Sequence, residues 1–154
     1  MPDTHALLGP SGAKRWMSCT PSARLEESFQ EESTDYAAEG TLAHKLAEQI
    51  LRYNNGEISK KALTGRLNKL KADPLYNQEM QDYIEDYANR VWEAINETKA
   101  SCPDALILFE QQLDFSEYVP EGYGTGDVVI VADDMVNVID LKYGKGVGVS
   151  AEDN

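Results

Sequence analysis

Residues 123–146 read YGTGDVVIVADDMVNVIDLKYGKG, and this stretch decides the fold of the chain. Two runs within it, residues 127–132 and residues 135–140, are rich in β-branched side chains, which favour strands. Asp133 and Asp134 lie between the runs and are typical turn residues. The pattern therefore predicts a β-hairpin with a two-residue loop.

The two-residue loop defines the register of the predicted strands. It pairs Ala132 with Met135 and, at the open end, Asp127 with Asp140. Side chains alternate along a strand, so Lys142 shares a face with Asp140. Paired side chains lie roughly 5 Å apart, and like charges repel each other at that distance. Because hard divalent cations bind oxygen ligands, the two aspartates indicate a metal site.

Two other interpretations fit the hairpin equally well when it is considered alone. Charged residues at the ends of strands are often simply solvated. A register shifted by one residue would turn Asp127 and Asp140 to opposite faces of the sheet. The choice between these interpretations depends on the rest of the chain.

A helix is predicted from Gly40–Thr41 to Gly56, where an Asn-Asn-Gly sequence ends it. Its leucines and alanines form an apolar side. His44 lies about 200° from Leu42 around the helix axis, on the face that also carries Glu48. The simplest interpretation of His44 is a surface pair with Glu48, four residues further along the helix. Near two carboxylates, its imidazole would instead complete a metal site.

Two more helices and one more strand are predicted, at residues 58–70, 75–99 and 105–115. The lysines and arginine of residues 58–70 indicate a solvated face more readily than a contact with phosphate. In residues 75–99, apolar and aromatic side chains, Tyr87 among them, recur at the spacing of a core stripe. Glu110 would be a further acid of the site, but a carboxylate at a strand edge or strand end is the simpler interpretation.

Composition limits the class of protein. The chain has 154 residues, of which 42% are hydrophobic and 27% are charged, as in a compact globular domain. It has neither the ~20 consecutive apolar residues of a membrane span nor a signal-peptide pattern, so we expect a cytoplasmic protein with no membrane contact. The two cysteines, Cys19 and Cys102, are expected to be reduced thiols.

The net charge of −13 restricts the possible partners. It argues against a simple non-specific nucleic-acid binder, because contacts with phosphate need clustered cations. It does not exclude a nuclease, because a bound metal ion neutralises part of an acidic site.

The order of the elements predicts a single α+β (α/β) domain. A helical region, residues 1–100, would pack on a three-stranded antiparallel meander in the β-sheet region, residues 105–146. Ser150, followed by acidic residues, has the pattern of a helix N-terminus, so we expect the fold to continue beyond Asn154. The third strand would then be an open edge, where a second copy of the chain could pair.

Three segments of the chain carry a resemblance to a known family. Residues 40–44 read GTLAH, residues 124–127 read GTGD, and residues 139–146 read IDLKYGKG. In this order, over roughly a hundred residues, they resemble the RecB-like branch of the PD-(D/E)XK nuclease superfamily, including an uncharacterised phage-encoded group.

The resemblance implies a fold, a ligand set and a reaction. The fold is a PD-(D/E)XK core of which this chain holds the N-terminal part. The ligands of Mg²⁺ or Mn²⁺ are Asp127, Asp140, His44 and the backbone carbonyl of Leu141. Lys142 would orient the attacking water or neutralise charge on the phosphate. The reaction is phosphodiester hydrolysis in DNA, most simply by an exonuclease of phage recombination or DNA processing, with a phage recombination protein as a partner.

Two other classes of protein are still open. One is a catalytically inactive nuclease-like module that serves as a phage interaction or scaffolding protein, which the acidity of the chain favours. The other is an unrelated α+β protein whose acids bind Ca²⁺. Some relatives hold an iron–sulfur cluster through one N-terminal cysteine, and Cys19 has a suggestive position, but we do not predict a cluster.

Overall fold

The computed structural model describes residues 6–29 and 35–144. In these residues the helices precede a three-stranded antiparallel sheet, so the predicted α+β class is confirmed. A 3-10 turn at Pro10–Gly12 is followed by helices α1 (Ala13–Ser18), α2 (Pro21–Glu26), α3 (Asp35–Asn54), α4 (Lys60–Lys71) and α5 (Gln78–Ser101). The strands are β1 (Leu106–Asp114), β2 (Tyr123–Ala132) and β3 (Met135–Ile139). No helix in the described ranges is long and apolar enough to cross a membrane.

The described residues form two compact units. The smaller unit contains residues 6–29 and 112–125, and the larger unit contains residues 35–111 and 126–144. The larger unit therefore combines three helices with β3 and parts of β1 and β2, and it holds every residue of the candidate site.

The smaller unit contains two close local contacts, one of a tryptophan and one of a glycine. Trp16 Nε1 donates a hydrogen bond to the carbonyl oxygen of Gly9 at 3.0 Å. A Cβ added at Gly122 would lie 2.6 Å from the ring of Phe115, so the close approach requires glycine. Cys19 is exposed, and it is a free thiol as predicted.

Two groups of buried apolar side chains form the core of the larger unit. The first joins α3 and α5 to strands β1 and β2 through Leu51, Ala88, Val91, Ile95, Ile107, Phe109, Val128 and Ile130. The second joins α3 and α5 to the segment after β3 through Leu42, Ala43, Leu46, Ala47, Met80, Ile84 and Leu141. Ile50 and Tyr87 pack against both groups. Burial of this apolar surface packs α3 and α5 against the sheet.

Helix α3 begins at Asp35, before the predicted start at Gly40–Thr41. Glycine weakens a helix interior by only about 1 kcal/mol, and the burial of Leu42 and the neighbouring apolar residues outweighs that loss. Thr41 does not act as a cap, because its hydroxyl donates a hydrogen bond to the Ala37 carbonyl at 3.0 Å, within the helix.

The predicted start of α5 at Leu75 is also wrong, because a polar side chain caps the helix later in the chain. The Oδ1 atom of Asn77 accepts a hydrogen bond from the backbone N–H of Met80 at 2.8 Å. This contact satisfies one of the free N–H groups of the first turn, so α5 begins at Gln78.

The hairpin has the predicted register. Ala132 lies opposite Met135 at the loop, and Val128 lies opposite Ile139 at the other end of the ladder. The alternative of a register shifted by one residue is therefore wrong. Strand β3 ends at Ile139, so Asp140 lies immediately beyond the strand rather than in it.

Strand β3 is an edge of the described sheet, whose strand order is β1-β2-β3. Two of its valines are well exposed, Val136 at 64% and Val138 at 51%. Pairing of this edge with a second copy of the chain stays a prediction. The predicted helix start at Ser150 lies outside the described residues.

Candidate metal centre

His44 and Asp127 are in direct contact. The Nδ1 atom of His44 lies 3.1 Å from the Oδ1 atom of Asp127. Both side chains are mostly shielded from solvent, with 31% of the His44 side chain and 13% of the Asp127 side chain exposed. Helix α3 and strand β2 thus bring the histidine of the first motif to the aspartate of the second.

The second oxygen of Asp127 is held by the main chain. The backbone N–H of Leu141 donates a hydrogen bond to Oδ2 of Asp127 at 2.6 Å. A carboxylate that is fixed through both oxygens has a defined orientation. The resemblance assigns the carbonyl of Leu141 to the metal, and that assignment stays a prediction.

The surface pair between His44 and Glu48 is not formed. Glu48 instead accepts a hydrogen bond from Arg52 Nε at 2.7 Å, within the same helix. Arg52 also donates to Glu57 at 2.6 Å and to the carbonyl oxygen of Phe109 at 3.3 Å. Glu48 is thus paired with Arg52, and the imidazole of His44 contacts Asp127.

Glu110 completes a three-residue cluster. Its carboxylate lies close to His44 and Asp127. One imidazole nitrogen of His44 and one carboxylate oxygen each of Glu110 and Asp127 all lie within 4.8 Å of one another. Glu110 lies in the interior of strand β1, so it is not at a strand end, but β1 is an edge of the described sheet and the interpretation as an edge carboxylate still holds. The signal in the sequence is an acid that directly follows the apolar run ALILF, residues 105–109, within that strand.

The backbone of Glu110 is unusual for a strand residue. Its φ angle is +50°, in the left-handed region that non-glycine residues rarely adopt. A residue held in this region costs about 1–3 kcal/mol and is found most often at sites where a side chain must be aimed at a particular place. At Glu110 that place is beside His44 and Asp127.

Asp140 and Lys142 form an ion pair beside this cluster. The Lys142 Nζ atom lies 2.7 Å from Oδ2 of Asp140, which agrees with the prediction that the two share a face. The carboxylate of Asp140 is not part of the three-residue cluster. Its negative charge nevertheless contributes to the raised pKa of both His44 and Tyr87, so it is close enough to act on the cluster electrostatically.

The carboxylates shift the pKa of the histidine and of one acid. The hydrogen bond with Asp127, supported by the charges of Asp127, Glu110 and Asp140, raises the pKa of His44 above its ordinary value of 6.5, against the opposing effect of burial. Burial and the neighbouring charges of Asp127 and Glu48 raise the pKa of Glu110. Such shifts arise where buried groups and like charges lie close together.

The cluster opens into a small cavity with an apolar wall. Ala47, Leu51, Val128 and Leu141 form that wall, and Glu48 and Tyr87 also line the cavity. The sequence pattern places Tyr87 in the core, and its ring does pack against both core groups. The pattern does not show that its hydroxyl is buried without a hydrogen-bond partner among the described residues.

The donor set suits a divalent cation. Two carboxylates supply the oxygen ligands that Mg²⁺ and Mn²⁺ prefer, and the imidazole shifts the preference toward Mn²⁺ and other transition metals. The raised pKa of His44 and of Glu110 reports the crowding of acidic groups that an ion would relieve. The three residues could therefore hold a metal ion.

Comparison with known proteins identifies the family of the chain. The model of a family described as "Protein of unknown function (DUF2800)" matches residues 5–154. No solved structure gives a significant match. The chain belongs to this family of unknown function.

Proposed function

We propose that this member of the family is a divalent-metal-dependent nuclease that hydrolyses phosphodiester bonds in DNA. The observation that supports the proposal best is the 3.1 Å contact between His44 and Asp127. The resemblance to the RecB-like nucleases requires these two residues to share one ion, and they belong to motifs that are far apart in the sequence.

In this proposal the cluster of His44, Glu110 and Asp127 holds Mg²⁺ or Mn²⁺. The N–H group of Leu141 keeps the carboxylate of Asp127 in place through a 2.6 Å hydrogen bond. When bound, the ion would lower the pKa of a coordinated water and offset negative charge on the scissile phosphate. The apolar wall of the cavity would limit the access of other water and strengthen these interactions.

Asp140 and Lys142 would act on the side of the cluster where the DNA binds. The side chain of Lys142 is 58% exposed, and its ammonium has three donors for phosphate oxygens. Asp140 holds this ammonium at 2.7 Å and adds a further negative charge near the ion. Lys142 would thus neutralise charge that develops on the phosphate during hydrolysis.

The reaction requires the chain to bind a polyanion despite its net charge of −13. Helix α4 carries four lysines and one arginine, all of them exposed, and it contains no acidic residue. This helix, together with the bound ion, would offset the repulsion between the acidic chain and DNA.

We propose a role in DNA recombination or processing.

The nuclease proposal is tested by cleavage of labelled linear and circular DNA, single-stranded and double-stranded, in Mn²⁺, Mg²⁺ or EDTA. We expect cleavage with Mn²⁺ and none with EDTA. Asp127→Ala should abolish it, whereas Asp134→Ala, which removes an exposed aspartate of the hairpin loop, should not. Absence of cleavage of every substrate by the natural chain would refute the proposal.

A second candidate is an interaction module without nuclease activity. The observation that favours it is the pair of exposed valines on the edge strand β3, 64% exposed at Val136 and 51% at Val138. Exposed apolar side chains on an open edge are a common docking surface for another strand. Such a module would bind a partner protein equally well in Mn²⁺ and in EDTA.

A further inference from the structure

Tyr87 places a buried hydroxyl in the wall of the metal centre. The residue lies on helix α5, and its side chain lines the cavity that also contains His44, Glu110 and Asp127. Its ring is packed between the two core groups of the larger unit. The side chain of Tyr87 therefore lies in the wall of the cavity that contains the three proposed ligands.

This hydroxyl has no hydrogen-bond partner among the described residues, and its oxygen is inaccessible to solvent. Leaving a buried polar group unpaired is unfavourable, and such groups are rare in folded proteins. A phenylalanine would fill the same space without this penalty. The hydroxyl is thus explained if the cavity at times holds an acceptor for it.

The surroundings of the hydroxyl define what that acceptor is. Burial, and the charges of Asp127, Asp140 and Glu110, raise the pKa of Tyr87, so the phenol stays protonated and able to donate. None of the carboxylates that line the cavity, Glu48, Glu110 and Asp127, accepts a hydrogen bond from this hydroxyl. An oxygen atom that binds together with the ion would supply the missing hydrogen-bond acceptor.

We propose that Tyr87 is a positioning residue of the metal centre, whose hydroxyl donates a hydrogen bond to an oxygen ligand of the ion held by His44, Glu110 and Asp127. This inference rests on the metal site of the proposed function. The oxygen is that of a water or of a phosphodiester, which share the same acceptor chemistry. Tyr87 would thereby select oxygen ligands and hold them on the side of the cavity that faces α5.

The test compares Tyr87→Phe with a matched control, Tyr83→Phe. Tyr83 lies one turn earlier on α5 and is 60% exposed, so its hydroxyl lies outside the cavity wall. Calorimetry would measure the affinity of each variant for Mn²⁺ alone, and then the affinity of the Mn²⁺-loaded protein for a thymidine dinucleotide with one phosphodiester. The melting temperature in EDTA would be recorded for each.

If Tyr87 donates to water, Tyr87→Phe weakens Mn²⁺ binding by roughly three- to tenfold, the effect of one hydrogen bond. If it donates to phosphate, Mn²⁺ binding is unchanged and dinucleotide binding weakens by a similar factor. In either case the melting temperature in EDTA stays the same or rises, and Tyr83→Phe changes neither affinity.

Two results would overturn the inference. Unchanged affinities for both probes in Tyr87→Phe would show that the hydroxyl contacts no ligand. A clearly lower melting temperature in EDTA would show that the hydroxyl has a partner in the metal-free protein. Failure of the metal site itself is seen separately, as absence of Mn²⁺ binding by the natural chain, which overturns both proposals. Mn²⁺ binding that depends on Tyr87, without DNA cleavage, would retain this inference and reject the nuclease.

Discussion

The Nδ1 atom of His44 lies 3.1 Å from Oδ1 of Asp127, so an imidazole on helix α3 and a carboxylate on strand β2 meet directly. The contact connects two segments that the sequence places in separate motifs. It serves as an ion pair when His44 is protonated, and it presents two adjacent ligands when His44 is neutral. Both states lead to measurable consequences.

The first prediction concerns the removal of the imidazole. We expect His44→Ala to weaken Mn²⁺ binding by about tenfold or more, because one of three proposed ligands is lost. Calorimetry measures the effect. Lys45→Ala, at the exposed neighbouring position of α3, is the control and should bind Mn²⁺ as the natural chain does. A large fall in melting temperature with unchanged Mn²⁺ affinity would mean that His44 serves stability alone.

The second prediction concerns pH. The folded-state pKa of His44 is raised above 6.5, mainly by its hydrogen bond with Asp127. The stability that this pair contributes in EDTA is therefore fully present below the unfolded pKa, and it is lost as the pH rises through the folded pKa. The difference in melting temperature between the natural chain and His44→Ala should decrease over that range.

Metal binding should have the opposite pH dependence. An ion binds neutral imidazole, so the affinity for Mn²⁺ should increase as the pH rises through the folded pKa of His44. In His44→Ala this increase should be smaller. Equal pH dependence of Mn²⁺ binding in both proteins would exclude His44 as a ligand.

The third prediction concerns Glu110. Glu110→Gln keeps the shape of the side chain but removes a charge that lies near Asp127 and Glu48. We expect weaker Mn²⁺ binding together with equal or greater stability in EDTA, because the repulsion among the acids is relieved. Glu117→Gln, at an exposed position, should change neither quantity. Unchanged Mn²⁺ affinity would remove Glu110 from the cluster.

The fourth prediction separates the two aspartates. Asp127→Asn disrupts the contacts with His44 and Leu141, so we expect loss of Mn²⁺ binding and a loss of stability of about 1–3 kcal/mol. Asp140→Asn affects only a partly exposed pair with Lys142, so we expect a smaller loss of affinity and little change in stability. Equal loss of affinity in the two variants would show that Asp140 is also a ligand.

The fifth prediction concerns a glycine within the basic helix α4. Nothing lies within 4 Å of the place that a Cβ would occupy at Gly65. Gly65→Ala should therefore raise the free energy of unfolding by about 0.5–1 kcal/mol, through a better helix propensity. Urea denaturation measures this. A loss of stability would indicate that the helix is strained at this position.

The hairpin is the part of the fold that sequence reasoning predicts best. A loop of two residues leaves a single pairing of Ala132 with Met135, and every later pair follows from it. Helix starts are predicted less well. Gly40 has the pattern of a boundary, yet α3 continues through it because the burial of Leu42 outweighs a local preference.

The candidate site is predictable only where a motif marks it. His44 and Asp127 can be singled out because each follows a glycine-containing motif. Glu110 depends on a backbone angle of +50°, which no pattern of side chains predicts. Tyr87 depends on the depth of its hydroxyl, and periodicity predicts the face of a helix but not how deeply a polar group lies in it.

The hydrogen bond from Leu141 to Asp127 has a consequence for substitutions in the centre. Asp140, Leu141 and Lys142 are consecutive, so the peptide that steadies the carboxylate lies between the two members of the neighbouring ion pair. The backbone of these three residues connects the ion pair to the donor that orients Asp127. Because these groups are direct neighbours, the effects of substitutions at Asp127 and Asp140 should not be fully additive.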